Sequence, residues 1–217
     1  NTVIKANYTL TFQSLKRCFF FFFNALFTGN VSILNIGLLT EFLKTIHTNT
    51  FLISESIAQT IYKPRQDFVH KGTCGHALII AGSKGKMGAA ILCTKACLRT
   101  GAGLVTVKVP QEEISILQIC VPEAMCFTDD KIDFSKYQSA GIGPGLGKEK
   151  IALELLKSLL QSTLSKYVLD ADALNLIAEN KELLDNISEH AILTPHPKEF
   201  DRLFGEVKNE FERNEKA

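Results

Sequence analysis

No Cys-x-x-Cys pair occurs in this sequence, and its six cysteines (Cys18, Cys74, Cys93, Cys97, Cys120 and Cys126) form no cluster with histidine at zinc spacing. A structural zinc site is therefore not expected, the metal expectation is none, and the pattern is that of a reduced, cytoplasmic chain. Cys93 and Cys97 stand one helical turn apart in an apolar stripe, where core packing is the expected role. Charge of one sign is also lacking. Twenty-four Lys and Arg against 23 Asp and Glu leave a formal net charge of +1, with no stripe of positive residues for a phosphate backbone, so nucleic acid is not an expected partner. The longest aromatic run, Phe19 to Phe23, stops at Asn24, far short of the roughly 20 apolar residues that cross a bilayer. No small-residue cleavage site follows it, which excludes a signal peptide, and no membrane partner is expected.

What is present is 217 residues with 46% hydrophobic content, enough for a core of one domain and part of another. Alternation at Tyr8–Phe12 and at residues 31–36 reads as two strands, too few to fold alone. Residues 41–66 turn polar and irregular, and Lys63-Pro64-Arg65 is a natural boundary. From about His70 strands and helices alternate. Residues 77–81, 104–109, 140–142, 167–169 and 191–193 read as strands; residues 88–99, 112–119 and 148–160 read as helices. Short apolar strands separated by helices of a dozen residues predict βαβ units and a mostly parallel sheet covered on both faces. In such a sheet the ligand sits outside the carboxyl ends of the strands.

Three turns belong to that edge. Thr194-Pro195-His196-Pro197-Lys198-Glu199-Phe200 fixes a histidine between two prolines, each of which restricts its own φ and the residue before it. A loop histidine in an ordinary strand-to-helix turn is the alternative. Gly141-Ile-Gly143-Pro144-Gly145-Leu-Gly147 lets backbone approach a ligand without Cβ obstruction, although without its neighbours it reads as a loop. Asp170 and Asp172, with Asn175 one turn later, follow a buried strand, where a carboxylate can order a ribose, bind hydrated magnesium or cap the next helix. A fourth segment, Gly82-Ser-Lys-Gly85-Lys-Met-Gly88-Ala89-Ala90, opens a helix after a strand, the setting that favours an anion, and equally that of a tight turn with close helix packing. It matches neither the Walker A nor the GxGxxG pattern.

These residues, with His70-Lys-Gly-Thr-Cys-Gly-His-Ala77 and Arg99-Thr-Gly-Ala-Gly-Leu-Val-Thr-Val107, resemble the ADP/ATP-dependent NAD(P)H-hydrate dehydratases of the ribokinase-like superfamily. The resemblance runs from Lys63 to the C-terminus. Residues 6–37, with Thr9-Leu-Thr-Phe-Gln13 and Ile36-Gly37, are similar to the last strands of the NAD(P)H-hydrate epimerase domain of bifunctional members, from which the Phe19 to Phe23 run departs. The resemblance implies a three-layer α/β ribokinase-like fold, C-terminally incomplete, preceded by a Rossmann-like epimerase remnant. Its divisions are residues 1–40 (epimerase remnant), 41–62 (linker) and 63–217 (dehydratase). It implies repair of NADHX or NADPHX at the expense of ADP or ATP, with Mg2+ as companion ion and a homo-oligomer, a tetramer in the family, as the assembly. Ala89, Ala90, Gly143, Gly145 and His196 are implied to line the hydrated-nicotinamide site, with Asp170, Asp172 and Asn175 nearby.

One departure bears on activity. The family's general-base aspartate lies in a Gly-Thr/Ser-Gly-Asp motif, and no Gly-Asp dipeptide occurs here, so no catalytic residue is assigned. The first residue is Asn1. The expectation is a piece of a longer protein with little or no dehydratase activity by itself. A vitamin-precursor or sugar kinase of the same fold, and a non-catalytic nucleotide-binding remnant, stay open as alternatives.

Overall fold

The computed structural model describes residues 3–217 apart from Asn49, Lys63 and Gln66. The boundary read at Lys63 therefore lies outside the described residues. The chain divides into two compact units, Arg65–Glu206 and a second one made of Asn1–Pro64 with Val207–Ala217.

In the second unit β1 (Tyr8–Phe12) and β2 (Asn30–Leu34) pair in parallel, Tyr8 opposite Asn30 and Phe12 opposite Leu34. A 3-10 turn and α1 (Phe22–Thr28) join them. The phenylalanine run is thus the entrance to a helix, with Phe21 edge-on to Phe211 at 5.9 Å and Arg17 over the Phe211 ring at 4.9 Å. The stretch read as irregular holds α2 (Thr40–Thr45) and α3 (Glu55–Ile61), both too short to show a period in sequence.

The Arg65–Glu206 unit carries a six-stranded parallel sheet of β3 (His76–Ile80), β4 (Leu104–Lys108), β5 (Met125–Phe127), β6 (Ser139–Ile142), β7 (Tyr167–Leu169) and β8 (Ile192–Leu193), ordered β5-β4-β3-β6-β7-β8. Between strands run α4 (Met87–Thr100), α5 (Ile114–Cys120), α6 (Lys150–Leu160) and α7 (Asp172–Glu179), and α8 (Pro197–Phe204) follows β8. The three-residue β5 escaped the sequence reading because Met-Cys-Phe carries no alternation.

Side chains of each strand alternate between two cores. Leu78, Ile80, Ala140, Ile142, Tyr167 and Leu169 pack under α6 and α7, with Leu203 of α8 in the same cluster. Ile79, Val105 and Val107 pack under Met87 and Ala90 of α4 and Leu117 of α5. Right-handed crossovers explain the division: β3 to β5 proceeds one way across the sheet and places its helices on one face, while β6 to β8 proceeds the other way and places them on the opposite face. Coverage of both faces, expected from the apolar strands, therefore holds only in part. Val168 and Ile192, on the α4 side of β7 and β8, belong to neither core and are 37% and 60% exposed.

Candidate functional site

The strand order reverses between β3 and β6, and the loops leaving those two strands meet there. The Gly82 N–H donates to the Pro144 carbonyl at 2.9 Å, and Ser83 Oγ donates to the Gly145 carbonyl at 2.8 Å. Two glycines make this approach possible. Gly143 has φ 129°, and a Cβ there would lie 1.8 Å from the Asp170 carbonyl oxygen; Gly145 has φ 65°, and its Cβ would press on Ala89 Cβ and the Lys86 carbonyl, each at 3.0 Å. The rim between the β3, β6 and β7 turns is thus built of backbone against backbone.

Asp170 and Asp172 do not converge. Ala171 between them adopts φ 47°, ψ −117°, a left-handed conformation that an alanine takes only under constraint, and the two carboxylates depart into different surroundings. Capping the next helix was one of the roles open to Asp172 in sequence. Instead Ala171 holds the cap position, Asp172 is the first helical residue, and its Oδ2 accepts the Gly147 N–H at 2.8 Å, with Lys86 Nζ 4.0 Å away. The tertiary bond wins because the tight Gly145–Gly147 path brings an orphan amide within reach. Asp170 lines an open groove with Pro144, Cys93 and Cys97. Burial, then the nearby Asp170 charge, push the Cys93 thiol up from its ordinary pKa, and burial does the same to Cys97.

His196 is the N-cap of α8. Its Nδ1 accepts the Glu199 N–H at 3.0 Å while Glu199 Oε2 accepts the His196 N–H, also at 3.0 Å, a reciprocal capping box. The bond assigns the neutral ring's proton to Nε2, which lies 3.5 Å from Glu199 Oε1 on a side chain that is 57% exposed. The imidazole is held by this box and by Pro197 at the first helical position. Asn175, on α7, accepts from Arg202 Nη1 of α8 at 2.6 Å through Oδ1, which leaves its amide hydrogens available.

Ala89, Gly143, Gly145 and Asp172 therefore meet at one junction, and Asn175 and His196 come from the two helices beside it, which pack together. Ala90 is fully buried beside Met87, and its Cβ packs against Gly82 of the β3 loop, so its side chain offers no exposed surface to a ligand. Ser83, Lys86, Glu199 and Arg202 were not singled out as site residues. Glu199 three residues after the cap is a legible signal, obscured because capping boxes are ordinarily read from Ser or Thr; the other three act through tertiary contacts alone. Among the described residues no three His, Cys, Asp or Glu side chains converge on a cation position. With Asp172 Oδ2 taken by the Gly147 amide and Asp170 lining the groove beside Cys93 and Cys97, these residues do not themselves fit a magnesium site.

The sequence profile of the NAD(P)H-hydrate dehydratase family, Carb_kinase, matches residues 77–217. A bifunctional NAD(P)H-hydrate repair enzyme Nnr from Coxiella burnetii is 38% identical over 218 residues, 98% of this chain and 44% of the relative. Among solved structures, an ADP/ATP-dependent NAD(P)H-hydrate dehydratase from Bacillus subtilis, co-crystallised with ATP and Mg2+, is 27% identical with a TM-score of 0.61, covering 73% of this chain and 57% of its own. A ribokinase-like superfamily protein from Enterococcus faecalis is 28% identical with a TM-score of 0.60, covering 72% and 59%. The chain spans about half the length of the relatives it matches. Its parallel sheet with helices on both sides is ribokinase-like, and the chain belongs to the NAD(P)H-hydrate dehydratase family.

Proposed function

We propose that this chain forms the substrate-holding part of a dehydratase that returns hydrated NADH or NADPH to the reduced dinucleotide with ADP or ATP as co-substrate. The observation that carries this reading is the stitched junction at the sheet's switch point, where Gly143, Gly145 and Ala89 expose little but backbone, together with an imidazole donor fixed at the start of α8, the helix that packs on α7. A flat nicotinamide fits against such a wall of backbone. His196 Nε2–H and the Asn175 amide supply directed donors for its hydroxyl or carboxamide, and Asp172 holds the Gly147 amide so that the wall keeps its shape. The nucleotide's part, when bound, is to turn a hydroxide that leaves poorly into a phosphate that leaves well. Magnesium would enter with the nucleotide's phosphates.

With no Gly-Asp dipeptide in the chain, the reading separates binding from turnover: these 217 residues bind the hydrate and do not dehydrate it. The match to a bifunctional repair enzyme over 98% of the chain supports assigning β1, α1 and β2 to an epimerase domain. Action in the cytoplasm as a homo-oligomer belongs to the same reading. Among the described residues no helix is long and apolar enough to cross a membrane.

Titration calorimetry of the chain with hydrated NADH tests it. Saturable binding is expected, weakened about tenfold or more in His196→Asn, which keeps an N-cap acceptor and loses the imidazole. Absence of binding by a folded chain, or preference for a sugar or vitamin precursor, would overturn it. Recovery of reduced-nicotinamide absorbance on adding ADP to the chain alone would refute the separation of binding from turnover.

A further inference from the structure

Asp172 ties the start of α7 to the junction through the Gly147 amide, and Asn175 follows it three residues later on the same side of the helix. Asn175 is half-buried and takes a bond from the neighbouring helix: Arg202 Nη1 of α8 donates to its Oδ1 at 2.6 Å. An amide side chain has two nearly isosteric ends, one accepting and one donating, and a half-turn about its last bond exchanges them. Here the partner decides which end points where. A guanidinium has five N–H donors and no acceptor, and it keeps its proton at any working pH, so the atom turned toward Arg202 is the oxygen. The Nδ2 hydrogens are then directed away from α8. Arg202 also stands in the last turn of α8, where a cation complements the helix dipole, which is the plain structural account of an arginine at this position.

We propose that Arg202 is a positioning residue that sets ligand selectivity: by holding Asn175 Oδ1 it presents Nδ2–H to the carbonyl oxygen of the nicotinamide carboxamide, and the site does not read that group's own N–H. The inference rests on the hydrated-nicotinamide reading of this junction. Ligand chemistry chooses the carboxamide over the hydroxyl as the group read by a locked amide. A hydroxyl rotates to suit a donor or an acceptor, whereas a carbonyl oxygen only accepts. The two groups stand on opposite sides of the hydrated ring, which leaves the hydroxyl to His196 Nε2–H. The consequence is a site that takes a dinucleotide whose carboxamide is replaced by a methyl ketone. With the Asn175 amide turned over, Oδ1 would face the ligand; a carboxamide could then rotate to offer its N–H, and a ketone could not.

Calorimetry of the full chain with hydrated NADH and with its hydrated acetylpyridine analogue, a methyl ketone, tests this. Wild type and Arg202→Lys, which keeps a donor, are expected to bind the two ligands within about threefold of each other. In Arg202→Glu the new carboxylate accepts from Asn175 and inverts the amide, so the ketone is expected to bind about tenfold or more weaker than hydrated NADH. Arg202 is exposed, so the exchange is compatible with folding, and urea midpoints check it. Should that variant not fold, Asn175→Asp decides, since it puts an acceptor in place of Nδ2 and is expected to shift the ratio the same way. A ratio unmoved by inversion, a wild type that already rejects the ketone, or an equal loss of both ligands without rescue by lysine overturns the proposal; the last assigns Arg202 to the helix pair alone. Each of these leaves the hydrated-nicotinamide reading standing, whereas a folded wild type that binds neither ligand sinks that reading and this inference with it.

Discussion

His196 owes its placement to backbone bonds that any good cap could make, which separates its structural role from its chemical one. His196→Ala removes the acceptor for the Glu199 amide and is expected to cost about 1 kcal/mol in urea denaturation, whereas His196→Asn is expected to cost only a few tenths. Gly143→Ala is a harsher test, since its Cβ would overlap the Asp170 carbonyl at a positive φ; about 3 kcal/mol or more, or failure to fold, is expected. His76 gives a pH signature. Its Nε2 lies 2.7 Å from Thr106 Oγ1, its ring is 4.7 Å from Tyr137, and burial lowers its pKa. A group whose pKa falls on folding stabilises fully above its unfolded pKa and loses that contribution as the pH drops below it. Urea midpoints should therefore decline as pH falls below about 6.5, and His76→Gln should flatten that decline. At this scale the glycines and the proline-flanked histidine were legible in sequence, because each is a residue type that one backbone conformation demands. The Asp172 to Gly147 bond was not, because helix capping and a tertiary amide compete for the same carboxylate and only the folded path decides.

Elements long enough to repeat their pattern were readable. In α6 Ala152, Leu155, Leu156, Leu159 and Leu160 recur at helical spacing, and all five are buried against the sheet. Leu156→Ala empties a fully buried site at the centre of that face and is expected to cost about 3 kcal/mol by denaturant titration, with the slope of the transition unchanged. β7 was read to the residue because Tyr-Val-Leu is bounded by polar residues on both sides. β5, α2 and α3 were not, because Met-Cys-Phe carries no alternation and six or seven residues hold less than two helical turns.

Across the whole molecule, the buried cores lie entirely between residues 77 and 203, inside the Arg65–Glu206 unit. A chain reduced to residues 65–206 is therefore expected to keep a cooperative urea transition and its far-ultraviolet circular dichroism per residue; loss of cooperativity would show that the flanking residues are needed for folding. The alternation of strands and helices already implied a parallel sheet with its working edge at the strand carboxyl ends. The uneven cover of its two faces was not implied, since hydrophobicity reports that a strand wants shelter without saying which crossover supplies it.

The junction of Gly82 with Pro144, Ser83 with Gly145 and Asp172 with Gly147 has one more consequence. Loops laced together at three points have no independent breathing, so an arriving guest finds a mould already set. Its capture should then show a heat-capacity change proportional to the contact area alone, without the surplus that accompanies the freezing of a slack loop.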